Sequence, residues 1–170
     1  FEPERHNFQI TDENLGVGGE KTKYQYNVEA IRTLKQIEAE KRLATPEEQT
    51  ILSRYVGWGG ISHAFEPDAP KWAKEYAELK ELLTPAEYQS AQSTVLNAHY
   101  TSPTVIQAIY NAVEQMDFTH GTVLEPSMGI GNFFGMLPES MAAAKLYGVE
   151  LDDLTGRIAK QLYQKADITV

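Results

Sequence analysis

The fold is decided by the stretch Val123-Leu124-Glu125-Pro126-Ser127-Met128-Gly129-Ile130-Gly131-Asn132-Phe133-Phe134. Its opening, Thr122-Val123-Leu124, predicts a short buried β-strand, and Gly129-x-Gly131 predicts a tight turn that leads into a helix. Glycines at such a turn let the backbone bend and approach a ligand closely. A strand, a glycine loop and a helix in this order form the first unit of an α/β fold.

Strands and helices alternate on both sides of this loop. Before it, Ser102-Pro103 predicts a helix that runs to about Met116, with Ser102 as its cap. After it, the pattern predicts a short helix broken near Pro138, a strand at 146–149, a helix at 152–163 and a third strand at 168–170. Residues 97–170 are therefore expected to form an α/β unit, the first half of a doubly wound, Rossmann-like fold. In the helix from Ser102, the side chains expected to be buried are Val105, Ile106, Ile109 and Val113.

Residues 1–96 are predicted to form a helical N-terminal subdomain. A helix from about Tyr24 carries apolar side chains at helical spacing on one face: Tyr24, Val28, Ile31, Leu34 and Ile37. Thr45-Pro46-Glu47-Glu48 and Thr84-Pro85-Ala86-Glu87 are capping boxes, and each predicts the start of a helix. The first of these helices should run to about Tyr55. Asp68-Ala69-Pro70 predicts the start of a further helix, which lies between these two in the sequence.

Composition narrows the class of protein. The chain of 170 residues has a net charge of -9, with -5 in residues 1–96 and -4 in residues 97–170. Neither half is basic, so we expect this chain to contribute little to any binding of nucleic-acid phosphates. There is no cysteine, and the histidines are scattered, so no metal site is predicted. No stretch approaches the roughly 18 apolar residues of a membrane span, and we predict a cytoplasmic protein without a membrane partner.

Two acids flank the glycine loop and indicate the kind of ligand. Glu125 ends the first strand, and Glu150 ends the second strand, 21 residues after Gly129. An acid in the position of Glu150 can accept hydrogen bonds from the ribose hydroxyls of an adenosine cofactor. The dinucleotide pattern fails, because Phe134 stands at its third glycine. Glu125 also disfavours a pyrophosphate and favours a ligand with an ammonium and a sulfonium, so S-adenosylmethionine is preferred over NAD. The alternative is a tight turn without a ligand.

The loop resembles the cofactor loop of the N6-adenine DNA methyltransferases over Leu124–Phe133. Asn97-Ala98-His99-Tyr100-Thr101-Ser102-Pro103 resembles the segment that precedes that loop, in the members that have the cofactor region first. Tyr147-Gly148-Val149-Glu150-Leu151-Asp152 resembles their second-strand acid motif. These motifs are specific for the class and less specific for DNA over RNA or protein substrates.

The helical half has a resemblance of its own. Tyr55-Val56-Gly57-Trp58-Gly59-Gly60, with Ala44–Glu48 before it, is similar to the leader of large methyltransferase–helicase proteins of bacterial mobile elements and phages. This resemblance implies a helicase module as a partner in the same parent chain. For the glycine run itself, a tight turn with Trp58 buried is favoured over a loop that stacks on DNA bases.

The resemblance implies a cofactor role for individual residues. Tyr100 and Thr101 would meet the methionine end, where the threonine hydroxyl bonds the carboxylate, and Glu125 would lie near the ammonium. Glu150 would hold the ribose, and Leu151 would lie against the adenine. The remaining residues implied to form the loop around S-adenosylmethionine are Pro126, Ser127, Gly129, Gly131, Asn132 and Phe133.

One motif of the family is missing from the chain. Its catalytic motif, Asp/Asn-Pro-Pro followed by an aromatic residue, follows a fourth strand and holds a flipped-out adenine. The last proline here is Pro138, so no such motif follows the cofactor loop. We therefore predict no catalytic residue. We expect a cofactor-binding fragment of a larger enzyme, inactive alone, which meets DNA through its parent protein.

Two other functions remain open from the sequence. The first is a fragment of an RNA or protein methyltransferase, which methyl-transfer assays on each substrate would distinguish. The second is a non-catalytic domain whose helical half docks a partner or a helicase-like module. A complete lack of response to the cofactor would favour this second alternative.

Overall fold

The computed structural model describes residues 3–96 and 100–170, and within them the protein is mixed α/β. These residues form seven α-helices, two short 3₁₀ helices (Ser62–Phe65 and Glu139–Met141) and one parallel sheet of three strands. The helices are α1 Glu20–Ala39, α2 Pro46–Leu52, α3 Ala73–Leu82, α4 Pro85–Thr94, α5 Pro103–Gln115, α6 Asn132–Gly135 and α7 Asp153–Leu162; the strands are β1 Thr122–Glu125, β2 Lys145–Val149 and β3 Asp167–Thr169.

The first helix confirms the prediction from apolar spacing. All five side chains of the predicted face of α1 are fully buried or within 1% of it. The helix begins at Glu20, four residues before the predicted start, because Gly19 is extended and ends the preceding loop. Its buried face forms the centre of the helical half.

Both predicted capping boxes are present. The Glu48 backbone N–H donates to the Thr45 hydroxyl at 3.3 Å, and the Thr45 N–H donates to the Glu48 carboxylate at 2.9 Å. Thr84 and Glu87 repeat this exchange at the start of α4. Each box satisfies two backbone donors that a helix leaves free at its N-terminus.

Two further predicted helix boundaries are wrong. Helix α2 ends at Leu52 rather than Tyr55, because the Tyr55 N–H bonds the Leu52 carbonyl in a tighter turn. Helix α3 begins at Ala73 rather than near Asp68. The chain before it makes turns, in which the Trp72 N–H donates to the Ala69 carbonyl.

The three strands lie in the order β1-β2-β3, all parallel. Side chains alternate across the sheet, and Leu146, Gly148 and Ile168 face the core. The opposite face is partly exposed, and Leu124 on it is 60% exposed. The prediction of a buried first strand is therefore wrong: Thr122 and Leu124 are exposed and Val123 is half-buried, since the described helices leave this edge of the sheet partly uncovered.

Helix α5 buries a different face from the predicted one. Ile106 is fully buried and Val113 is half-buried, but Val105 and Ile109 are 48% and 43% exposed. Tyr110 takes the inner position instead, and its hydroxyl donates to the Phe133 carbonyl. Ile106, Tyr110 and Met141 form a small core of their own, and the packing of that core sets which side of the helix faces inward.

One larger hydrophobic core includes residues from both predicted domains. It joins Tyr24 and Trp58 of the helical half to Ile130, Ile158 and Tyr163 of the α/β half. The predicted boundary near residue 96 lies beside residues 97–99, which are outside the described residues, and the division at 96/97 stays a prediction. Within the described residues, no helix is both long enough and apolar enough to cross a bilayer.

A carboxylate on α4 ties three helices together. Glu87 accepts hydrogen bonds from Lys35 of α1 and Arg157 of α7, both at 2.8 Å. Burial by itself raises the pKa of Glu87. The hydrogen bonds from Lys35, Arg157 and the Thr84 N–H outweigh burial and lower the pKa to about 2.

Replacing Glu87 by glutamine is expected to lower the free energy of unfolding at pH 7 by about 2 kcal/mol, which is roughly 4–8 °C in the thermal midpoint. A carboxyl with a lowered native pKa stabilises the fold above its unfolded pKa, and this stability is lost as the pH falls toward 2. The difference between wild type and Glu87→Gln should therefore shrink below about pH 4.5. Thermal melts from pH 2.5 to 7 measure it. Glu81→Gln, an exposed carboxylate on α3, should change little, and an equal loss in both variants would contradict the role of Glu87.

Candidate functional site

The glycine loop between β1 and α6 needs glycine at two positions. Gly129 and Gly131 have φ angles of +56° and +91°, in the region where residues with a Cβ are strained. A Cβ on Gly129 would lie 2.9 Å from the Tyr100 ring, and one on Gly131 would lie 2.5 Å from the Tyr163 ring. The loop is therefore packed against an aromatic ring at each glycine.

Glu150 fixes this loop from the end of the neighbouring strand. Its carboxylate accepts a hydrogen bond from the Gly129 N–H at 2.8 Å and another from the Asp152 N–H at 2.9 Å. Each oxygen of a carboxylate has two lone-pair sites, so each still has one site for a further donor. Asp152 in turn caps α7, since it accepts from the Thr155 N–H at 2.9 Å. The predicted helix start at Asp152 is confirmed.

Glu125 ends β1 beside the same loop. Its side chain is half-buried, and this partial burial raises the pKa of its carboxyl above the ordinary value. No hydrogen bond to its carboxylate is present within residues 3–96 and 100–170. A carboxylate in this setting is stabilised by a cation that enters its cavity.

Three cavities surround the loop, and each takes its name from a charged residue that lines it: Glu150, Glu125 or Lys23. The Glu150 cavity has a volume of about 340 Å³ and is also lined by Ser127, Gly129 and Leu151. The Glu125 cavity has a volume of about 50 Å³ and is also lined by Thr101, Ser127 and Phe133. The Lys23 cavity has a volume of about 270 Å³ and lies between the Gly57–Gly60 loop and the 100–103 segment.

Tyr100 stands where the three cavities meet, because it lines all of them. Thr101 and Asn132 line both the Glu125 and the Lys23 cavities, while Ser127 and Gly129 line both acid cavities. The structure therefore brings together most of the residues predicted to bind a cofactor. The preceding part of that motif, Asn97-Ala98-His99, lies outside the described residues.

The other predicted residues differ in their placement. Phe133 lines the Glu125 cavity and packs edge-on against Tyr110, with 6.1 Å between ring centroids. Leu151 lines the Glu150 cavity and is 97% exposed. Pro126 and Gly131 line none of the three cavities. Gly131 lies so close to the Tyr163 ring that a Cβ there would clash with it.

The helical half contributes residues that the sequence did not assign to a site. Trp58 is fully buried, as predicted for a tight turn, and Gly57 lines both the Lys23 and the Glu150 cavities. Ser90, Ser93 and Thr94 of α4 also line the Glu150 cavity. The Gly57–Gly60 run was a visible signal in the sequence. The α4 residues had no signal, because their place depends on the packing of α4 against α7.

No family model, curated protein or solved structure matched the chain in comparisons with known proteins. Within the described residues, no group of three or more histidine, aspartate or glutamate side chains is placed to hold a metal ion.

Proposed function

We propose that this protein binds S-adenosylmethionine at the Glu125 and Glu150 cavities. The observation that carries the proposal is that two acids end adjacent parallel strands and line separate cavities that meet at Tyr100, Ser127 and Gly129. Ligands of open α/β sheets bind at the carboxyl ends of the strands. We propose on the same ground that the sheet is the β1-β2-β3 half of a doubly wound, Rossmann-like fold.

The chemistry of the two acid cavities fits this cofactor. Neither has a lysine or arginine among its described lining residues, so neither offers a charge for a pyrophosphate. Glu125 would pair with the ammonium, and the free lone-pair sites of Glu150 would accept from the ribose hydroxyls. The exposed side chain of Leu151 would cover the adenine ring. When bound, S-adenosylmethionine supplies an activated methyl group.

We further propose that the parent enzyme is a DNA adenine-N6 methyltransferase. The support is the loop Leu124–Phe133 together with the Glu150 motif, both of which resemble that family. The residues of this chain seat the cofactor, while the base would be held by an Asp/Asn-Pro-Pro motif that the chain lacks. Methyl-transfer assays with the parent protein on DNA, RNA and protein substrates would separate DNA from the other substrate classes.

Saturating S-adenosylmethionine is expected to raise the thermal midpoint of the protein by roughly 5–10 °C, because a ligand at 100 times its dissociation constant adds about 2.7 kcal/mol. The shift should grow as the pH rises toward 7. Glu125 has a raised pKa, so at low pH more of it is neutral and unable to pair with the ammonium.

NAD at the same concentration is the control ligand and should give no shift. Glu125→Gln should weaken binding about tenfold and remove this pH dependence. Its thermal midpoint without ligand should not fall, since the variant loses a half-buried charge that accepts no hydrogen bond from the described residues. An absent shift with S-adenosylmethionine, or an equal shift with NAD, would contradict the proposed function.

A further inference from the structure

Lys23 has an unusual position for a lysine on α1. It is half-buried and lines a cavity about 270 Å³ in volume, and it makes no ion pair or side-chain hydrogen bond with the described residues. Its neighbour Lys21, by contrast, pairs with Glu75 at 2.7 Å. A lysine that lines a cavity and pairs with none of the described acids can bind an anion that enters this cavity.

The three cavities differ in the sign of the charged side chains that line them. Lys23 is the only lysine or arginine among the described residues that line them, and its own cavity has no aspartate or glutamate in that lining. The other two cavities are lined by Glu125, Glu150 and Asp152. In a chain of net charge -9, this leaves one positive cavity beside two negative ones.

The wall between the Glu125 and Lys23 cavities is polar. Tyr100, Thr101 and Asn132 belong to both linings. The Asn132 Oδ1 atom is buried and accepts no hydrogen bond within the described part of the chain. An unpaired buried acceptor favours a ligand that brings an N–H to it. The Thr101 hydroxyl can donate to an anion on the same wall.

We infer that Lys23 binds the carboxylate of the α-amino-acid end of S-adenosylmethionine, with the Lys23 cavity as its site. The ammonium on the same carbon would face Glu125 and Asn132, and the carboxylate would pass the Thr101 wall toward Lys23. The inference rests on the proposed function. It assigns the helical half a direct part in holding the cofactor, since α1 supplies the cation and the Gly57–Gly60 loop closes the cavity.

The test compares two ligands that differ only in this carboxylate. Isothermal titration calorimetry is carried out with S-adenosylmethionine and with its decarboxylated form, on wild type and on Lys23→Met. The variant is expected to bind S-adenosylmethionine at least about tenfold more weakly, because it loses a charge-assisted hydrogen bond. The decarboxylated ligand should bind both proteins within about twofold, since it has nothing for Lys23 to bind.

Two further variants separate a specific contact from a general charge effect. Lys23→Arg keeps the positive charge and should retain affinity for S-adenosylmethionine within about threefold. Lys160→Met removes an exposed lysine on α7 that lines none of the three cavities, and it should leave both affinities unchanged. Binding of the decarboxylated ligand also reports that each variant is folded.

The possible outcomes separate the role of Lys23 from the binding of the cofactor itself. If both ligands bind and Lys23→Met weakens them equally or not at all, the role of Lys23 is overturned while the cofactor site stands. The same holds if Lys160→Met causes the loss expected of Lys23→Met. If wild type binds neither ligand, the proposed function itself fails, and the inference fails with it.

Discussion

Replacing Glu150 by alanine is expected to weaken the binding of S-adenosylmethionine by about 100-fold, because the proposed charge-assisted hydrogen bonding to the ribose, worth about 3 kcal/mol, is lost. The change also removes the acceptor of the Gly129 N–H, which is 2.8 Å from the Glu150 carboxylate. Loss of the ribose contact and loosening of the loop act in the same direction. Calorimetric titration of wild type and variant measures the ratio of the two affinities.

A matched pair of variants shows whether the loss belongs to the carboxylate. Glu150→Gln keeps one carbonyl acceptor but presents an NH₂ where the carboxylate accepted, so it should lose most of the same affinity. Glu139→Ala removes an exposed acid of the same half and should not affect binding. If Glu150→Ala binds S-adenosylmethionine with unchanged affinity, Glu150 does not hold the ribose.

Replacing Gly131 by alanine is expected to destabilise the protein by about 3 kcal/mol and to lower the thermal midpoint by roughly 6–12 °C. Two costs add. The backbone has a φ of +91°, which strains any residue with a Cβ. The new methyl group would also lie 2.5 Å from the Tyr163 ring, and that ring is buried and cannot move away cheaply.

Gly60→Ala is the matched control, because a Cβ there meets nothing within 4 Å and the backbone φ is not positive. Its thermal midpoint should stay within about 2 °C of wild type. Melts followed by circular dichroism compare the two variants directly. Similar thermal midpoints for Gly131→Ala and wild type would show that the loop can relax around the methyl group. This outcome would contradict the tight packing of Gly131 against Tyr163.

Sequence patterns predicted the elements whose causes are local. The buried face of α1 follows from apolar spacing, and the capping boxes at Thr45 and Thr84 follow from side chains three residues apart. The strand-loop-helix at 122–135 and the parallel partner β2 were predicted for the same reason. The predicted end of α2 and the predicted start of α3 were wrong, because both depend on turns whose energies differ little from that of a further helical turn.

Features that depend on packing between distant segments could not be predicted in this way. The apolar side chains of α5 cover more than half a turn, so spacing alone wrongly placed Val105 inward and missed Tyr110. Lys23 and Thr101 are 78 residues apart in the sequence and line one cavity only because the tertiary fold places both segments around it. Nothing in the local sequence of α1 distinguishes Lys23 from Lys21.

The hydrogen bonds from Gly129 and Asp152 to Glu150 also have a consequence for the entropy of binding. They hold the loop in place before a ligand enters, so its backbone loses little freedom when the site is filled. Ordering a free residue costs about 1–2 kcal/mol, and this cost is met here during folding rather than during association. A ligand therefore loses little affinity to ordering of the loop, and it should bind without a slow rearrangement of the loop.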